Sequence, residues 1–187
     1  MIKVFKLLIF IFLVYMHSTT HASEYIVDHA QSEISFSSTH AGENFTGVFR
    51  GWNAEINFDA TNLDQSYFKA TFDMTSAQTG NTLYDETLPK SDWFDIKNFP
   101  KASFESKSIK ALEDKVYQTS GVLKIKDIPL PVTFQFTLSD LDDKKVQALS
   151  TFSVNRLNFD IGQASDPEEE WVTNKIEINL KIIAKKP

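Results

Sequence analysis

The sequence predicts an all-β protein: a single elongated antiparallel β-barrel of about eight strands, with one or two short helices forming a lid. Three observations carry that prediction. From Tyr67 to Thr75, Phe68, Ala70, Phe72 and Met74 alternate strictly with Tyr67, Lys69, Thr71, Asp73 and Thr75, so an extended chain has one apolar and one wet face. The same two-residue period returns in at least five further segments. Several of these are long: Gly47 to Phe58 covers twelve residues, roughly 40 Å at about 3.3 Å per residue, well beyond the usual strand. Closing such strands into one barrel buries every apolar face and leaves no open edge.

The elements follow in order. Tyr25 to Asp28 is a short extended piece, and Glu33 to Ser38 carries Ile34 and Phe36 on one side. Asn44 to Asp59 reads as one curved strand with Val48, Trp52, Ala54, Ile56 and Phe58 on a common face, and with Gly47 and Gly51 available for bends or bulges. After Tyr67 to Thr75 the period stops at Gly80. In Thr82 to Pro100, Thr82 with Asp85 makes a helix-capping pattern, Pro89 ends that helix, and Ser91 or Asp92 caps a further turn. Leu88, Trp93, Phe94 and Phe99 equip this connection to pack over one barrel end.

Strands then resume at Ala102 to Lys110, with Ala102, Phe104 and Ser106 on one face, and at Val116 to Lys126, with Leu123 and Ile125 inward; Glu113-Asp114-Lys115 is the turn between them. Val132 to Leu138 alternates without a break and is entered through Pro129-Leu130-Pro131. Lys145 to Asn155 and Val172 to Ala184 complete eight or nine strands, and the acidic segment Gly162 to Glu170 between them reads as a solvated loop.

The N-terminus combines Lys3 and Lys6, an apolar run from Leu7 to Met16 and a small-residue signal at Thr20-His21-Ala22. This is the pattern of a secretory signal peptide over residues 1–22, leaving a single barrel domain over 23–187. The export signal without an anchoring cysteine points to the periplasm. Loss of the two lysines moves the formal charge from −6 to −8, which argues against nucleic acid as a partner. With no cysteine, stability must come from the core. Catalysis finds little support. His29 and His40 sit eleven positions apart without a metal-ligand pattern, and no nucleophile elbow, phosphate loop or dinucleotide fingerprint is present. No catalytic residue, metal site or cofactor is assigned.

Six segments together carry a family resemblance: Y-I-V-D-H-A-Q-S-E-I-S-F at Tyr25 to Phe36, T-H-A-G with G-V-F-R-G between Thr39 and Gly51, L-P-K-S-D-W-F-D-I-K-N-F-P at Leu88 to Pro100, A-S-F-E-S at Ala102 to Ser106, G-V-L-K-I-K-D-I-P-L-P-V at Gly121 to Val132, and F-S-V-N-R-L-N-F-D-I-G at Phe152 to Gly162. In order and spacing the chain resembles the YceI family of polyisoprenoid-binding, lipocalin-like proteins. It departs where the family often has Gly-Arg-Phe and this chain has Gly47-Val48-Phe49, and where the family often has Arg-x-x-Phe-Gly and this chain ends the motif in Asp160.

The resemblance implies a periplasmic carrier of a long isoprenoid lipid, a polyprenyl chain or quinone tail, with no other cofactor. It leaves open a structural or partner-binding role beside a membrane redox protein of the cytochrome b561 type, and homodimerisation. An exposed apolar patch on the Leu83 to Phe99 lid would favour the partner role. The inward positions expected to meet the lipid are Phe36, Trp52, Ile56, Phe68, Phe72, Met74, Phe104, Phe134, Phe136 and Phe152. A dry aromatic core has the same periodicity. Arg156 is expected at the barrel mouth, pairing with Asp85 or Asp92 or orienting a polar head group. Trp93 and Phe94 are expected to pack in the lid.

Overall fold

Alternation along the chain is realised as a sheet that closes on itself. The computed structural model describes residues 24–140 and 142–186; the expected signal segment Met1 to Ala22 lies outside them. The described residues form eleven strands: β1 (Glu24–Val27), β2 (Glu33–His40), β3 (Glu43–Phe49), β4 (Trp52–Asn57), β5 (Tyr67–Asp73), β6 (Ala77–Gln78), β7 (Lys101–Glu113), β8 (Val116–Ile125), β9 (Ile128–Asp140), β10 (Lys145–Asn155) and β11 (Lys175–Lys185). All pairs are antiparallel, and β1 bridges β4 and β11, closing an eight-strand ring β1-β4-β5-β7-β8-β9-β10-β11.

The remaining short strands continue staves of that ring. β2 follows β1 along β11, β3 precedes β4 across a bend at Arg50-Gly51, and β6 follows β5. The barrel is therefore an up-and-down meander of eight staves, three of them broken. The bend holds through Arg50 N–H to the Ser76 carbonyl, Asp73 N–H to the Gly51 carbonyl, and Gly51 N–H to Ser76 Oγ at 2.8 Å.

The bend corrects the reading of Asn44 to Asp59 as one strand with one apolar face. Phe45 and Phe49 point inward on β3, whereas Trp52, Ala54 and Ile56 do so on β4, so the phase flips and Val48 is not on the cavity side. Gly47 is no bend. It pairs with Phe36, whose ring lies where a Cβ at position 47 would sit. Gly121 makes the same kind of slot for Phe104. On β7 a register shift between Ser106 and Ser108 flips the phase again, turning Ile109 inward after Ala102, Phe104 and Ser106.

The β8–β9 hairpin turns tightly at Lys126-Asp127, whose φ values of 49° and 60° match the turn that suits strand twist. Ile125 and Ile128 flank it as a pair, which directs the missing N–H groups of Pro129 and Pro131 away from β8. They face β10 where no pairing exists, because β9 and β10 are joined only from Thr137–Leu149 to Asp140–Val146.

The lid contains one helix, α1 (Thr82–Thr87), followed by hydrogen-bonded turns to Asn98. Its cap is Asn81, whose side chain accepts from the N–H groups of Leu83 and Tyr84, rather than Thr82. Asp85 instead accepts from the Thr79 N–H and hydroxyl, which holds its carboxyl below the ordinary range.

Candidate functional site

The barrel encloses a cavity of about 250 Å³, lined by residues from every stave and from the lid. Apart from Lys69, Met74, Ser150 and Arg156, every lining side chain is aliphatic or aromatic. Phe68, Ala70 and Phe72 enter from β5; Phe134 and Phe136 from β9; Ile176, Ile178 and Leu180 from β11. This is the period-two pattern of the sequence turned into a wall. All eleven sequence-predicted site residues line this one space: Phe36, Trp52, Ile56, Phe68, Phe72, Met74, Phe104, Phe134, Phe136, Phe152 and Arg156.

Sequence reasoning missed Phe45 and Phe49, because the phase change at Arg50-Gly51 hides them behind the Val48 to Phe58 pattern. Two phenylalanines four residues apart, ending two positions before Gly51, were the available signal. Leu88, Trp93 and Phe94 of the lid also border the cavity; Phe99 does not.

Each end of the barrel is packed. At the lid end, Leu88 and Phe94 join Phe159 and Ile161 in a buried cluster with Phe36, Met74 and Phe104. At the other end, Phe58, Ile109, Tyr117 and Phe136 form a second cluster, with Tyr117 edge-on to Phe58 at 5.0 Å between centroids. Between them, Phe134 and Phe152 stack at 4.3 Å and Phe104 lies 5.4 Å from Phe134.

Arg156 is a clasp of the lid end. It is 2% exposed and pairs with Asp166 at 2.7 Å, not with Asp85 or Asp92. Its Nε donates to the Val172 carbonyl, Nη1 to the Ile161 carbonyl, and Nη2 to the carbonyls of Asp166 and Val172. The guanidinium lies 5.8 Å from the Trp93 ring. Burial pushes the Arg156 pKa down, against the opposing carboxylates of Asp166, Glu169 and Asp92. Asp166 in turn accepts from the N–H groups of Trp171 and Val172. The segment Gly162 to Glu170 is therefore no simple solvated loop: Gly162 and Asp166 are buried, while the other residues, the three glutamates among them, face solvent.

Asp92 ties the two halves of the lid together. Its carboxylate accepts from the N–H groups of Ala164 and Ser165 and from the Ser165 hydroxyl, and its own carbonyl accepts from Gly162 N–H. Burial pushes this carboxyl up, but the Ser165 hydroxyl, the two N–H donors and nearby Lys126 outweigh it and hold it below the ordinary range.

Residues 25–184 match the YceI-like domain family. The chain belongs to the YceI-like family. Among curated relatives it is 24% identical over 121 residues to a UPF0312 protein of Pseudomonas savastanoi and 26% identical over 121 residues to one of Pseudomonas putida. The matched stretch spans 63% of this chain and 63% of the length of those relatives. Among solved structures, this YceI-like chain is similar to BcnA of Burkholderia cenocepacia, at 25% identity and a TM-score of 0.80, covering 84% of this chain and 98% of that one. A polyisoprenoid binding domain from Saccharophagus degradans, implicated in plant cell wall breakdown, shares the fold at 11% identity and a TM-score of 0.68, over 89% of this chain and 99% of that one.

Proposed function

We propose that this YceI-like protein is an exported, periplasmic carrier that holds a long isoprenoid chain, a polyprenyl lipid or quinone tail, inside the barrel, and that it binds rather than transforms this cargo. The observation that carries the reading is the lining: an interior space walled by aliphatic and aromatic side chains from all eight staves. Such a wall recognises an apolar chain by area alone, and each 100 Å² of chain removed from water contributes roughly 2.5 kcal/mol. The lining polar groups Ser150 and Arg156 are already bonded to protein acceptors, the hydroxyl to the Gln135 carbonyl at 2.6 Å. The polyisoprenoid binding domain of the same fold adds to this reading, and the export pattern at Met1 to Ala22 supports the compartment.

The test is titration of the purified protein with an isoprenoid quinone while following emission of the cavity-lining Trp52 and Trp93. Saturable quenching is expected, abolished or weakened at least tenfold by Phe72→Trp with the melting temperature kept. If Phe72→Trp instead destabilises by about 1–3 kcal/mol and the unmodified protein shows no quenching, the interior is a dry core.

A second reading, transient docking on a membrane redox protein, is favoured by one feature. Leu83 on α1 is 61% exposed, and its neighbour Tyr84 contacts His40, which stacks near Trp171, itself 58% exposed. Leu83→Asp should then lower cargo transfer to membranes while leaving cargo affinity unchanged.

A further inference from the structure

With both barrel ends packed, the polar end of a bound chain has to leave through the wall, and away from the unpaired edge of β6 two stretches of the wall lack strand pairing. The first is between β9 and β10, where residues 128–136 and 150–155 are not paired. It is sealed from inside by the parallel stack of Phe134 on Phe152 and braced by Ser150 Oγ on the Gln135 carbonyl. The second lies between the broken staves β1/β2 and β3/β4. Their pairing stops after Tyr25–Ile56 and restarts only at Ser35–Val48. Between these points the chains bend at Asp28 to Ser32 and at Arg50-Gly51, and no strand pair joins residues 26–34 to residues 49–55 among the described residues. At this window the exposed His29 imidazole packs against the Trp52 ring, with centroids 4.5 Å apart. Trp52 lines the cavity on its other side.

We infer that this window, closed by His29 over Trp52, is where the polar head group of the bound isoprenoid lies, with the apolar tail running into the barrel past Phe72 and Phe104. The inference rests on the carrier reading above and adds the position of the head. Three features of the window suit that role. The two rims make no ladder pairs with each other across the gap, so backbone groups there that are not tied to Ser76, Asp73 or the Asp28 turn can meet a polar group. The imidazole can donate to or accept from a head-group oxygen. Trp52 offers an apolar body to the first units of the tail. The seam between β9 and β10 is closed inside by the Phe134–Phe152 stack and flanking valines, and its Ser150 hydroxyl already donates to the Gln135 carbonyl.

The chain has no cysteine, so single labels can be placed cleanly. In the full chain, bimane is attached at His29→Cys, and in a second protein at the exposed Ala164→Cys on the lid loop. Each is titrated with an octaprenyl chain carrying a nitroxide on its head. Strong quenching at position 29 and little at position 164 is expected. Quenching at 164 but not at 29, or equally at both, overturns the window and leaves the carrier reading intact. If the unlabelled protein takes up no octaprenyl chain by tryptophan emission, the carrier reading fails and the window with it. In addition, His29→Ala should speed release of the chain severalfold with an unchanged melting temperature; unchanged release would contradict the window.

Discussion

Arg156 shows how much of the lid depends on one residue. Its guanidinium and the Asp166 carboxylate are both nearly inaccessible, with side-chain exposures of 2% and 3%. Removing one partner of such a pair leaves a buried, uncompensated charge and costs about 3–5 kcal/mol. Arg156→Met should therefore lower unfolding free energy by that amount in urea titration. Adding Asp166→Asn, which removes the lone charge but keeps an oxygen for the N–H groups of Trp171 and Val172, should restore part of it. The glycine slots give a second prediction at this scale. A Cβ at Gly47 meets the Phe36 ring, so Gly47→Ala should destabilise by about 1–3 kcal/mol through overpacking, and Phe36→Leu in the same chain should relieve part of that loss. Arg156 was legible in the sequence as a residue of the barrel mouth, but its partner was not. Asp166 lies ten positions away in a segment whose acidic composition resembles a solvated loop, and only the fold turns its carboxylate inward.

At the scale of elements, the long alternating strands were readable because burial on one face enforces a two-residue period. Tyr67 to Thr75, Val116 to Lys126 and Val172 to Ala184 read correctly as strands that recur, with adjusted ends, as β5, β8 and β11. The breaks were not readable, because a bend or bulge shifts the phase without changing the composition, as at Arg50-Gly51 and Ser106 to Ser108. The lid was legible as a non-strand segment with apolar residues, but its anchoring through Asp92 depends on a loop more than seventy residues away. That anchor makes the lid pH-sensitive. A carboxyl held below its ordinary value of 3.8 contributes its full stabilisation above that pH and loses it as the pH falls through and below that value. Amide exchange in residues 88–100 should therefore accelerate below about pH 4 more than in β8. Asp92→Asn should raise exchange there at neutral pH and flatten the dependence.

For the whole molecule, the sequence predicted a barrel and could not distinguish a lined interior from a filled one, since inward aromatics produce the same pattern in both. The eleven expected residues do converge on one space, because a closed sheet leaves every inward face nowhere else to point. What decides function is whether that space holds a chain. The most direct test is native mass spectrometry of the mature protein purified from an exporting host, followed by organic extraction of whatever it releases. A mass above the bare polypeptide is expected, carried by one polyprenyl or isoprenoid-quinone species that the Phe72→Trp protein lacks. A protein that flies only at its bare mass, and still does so after incubation with added isoprenoid, would contradict it.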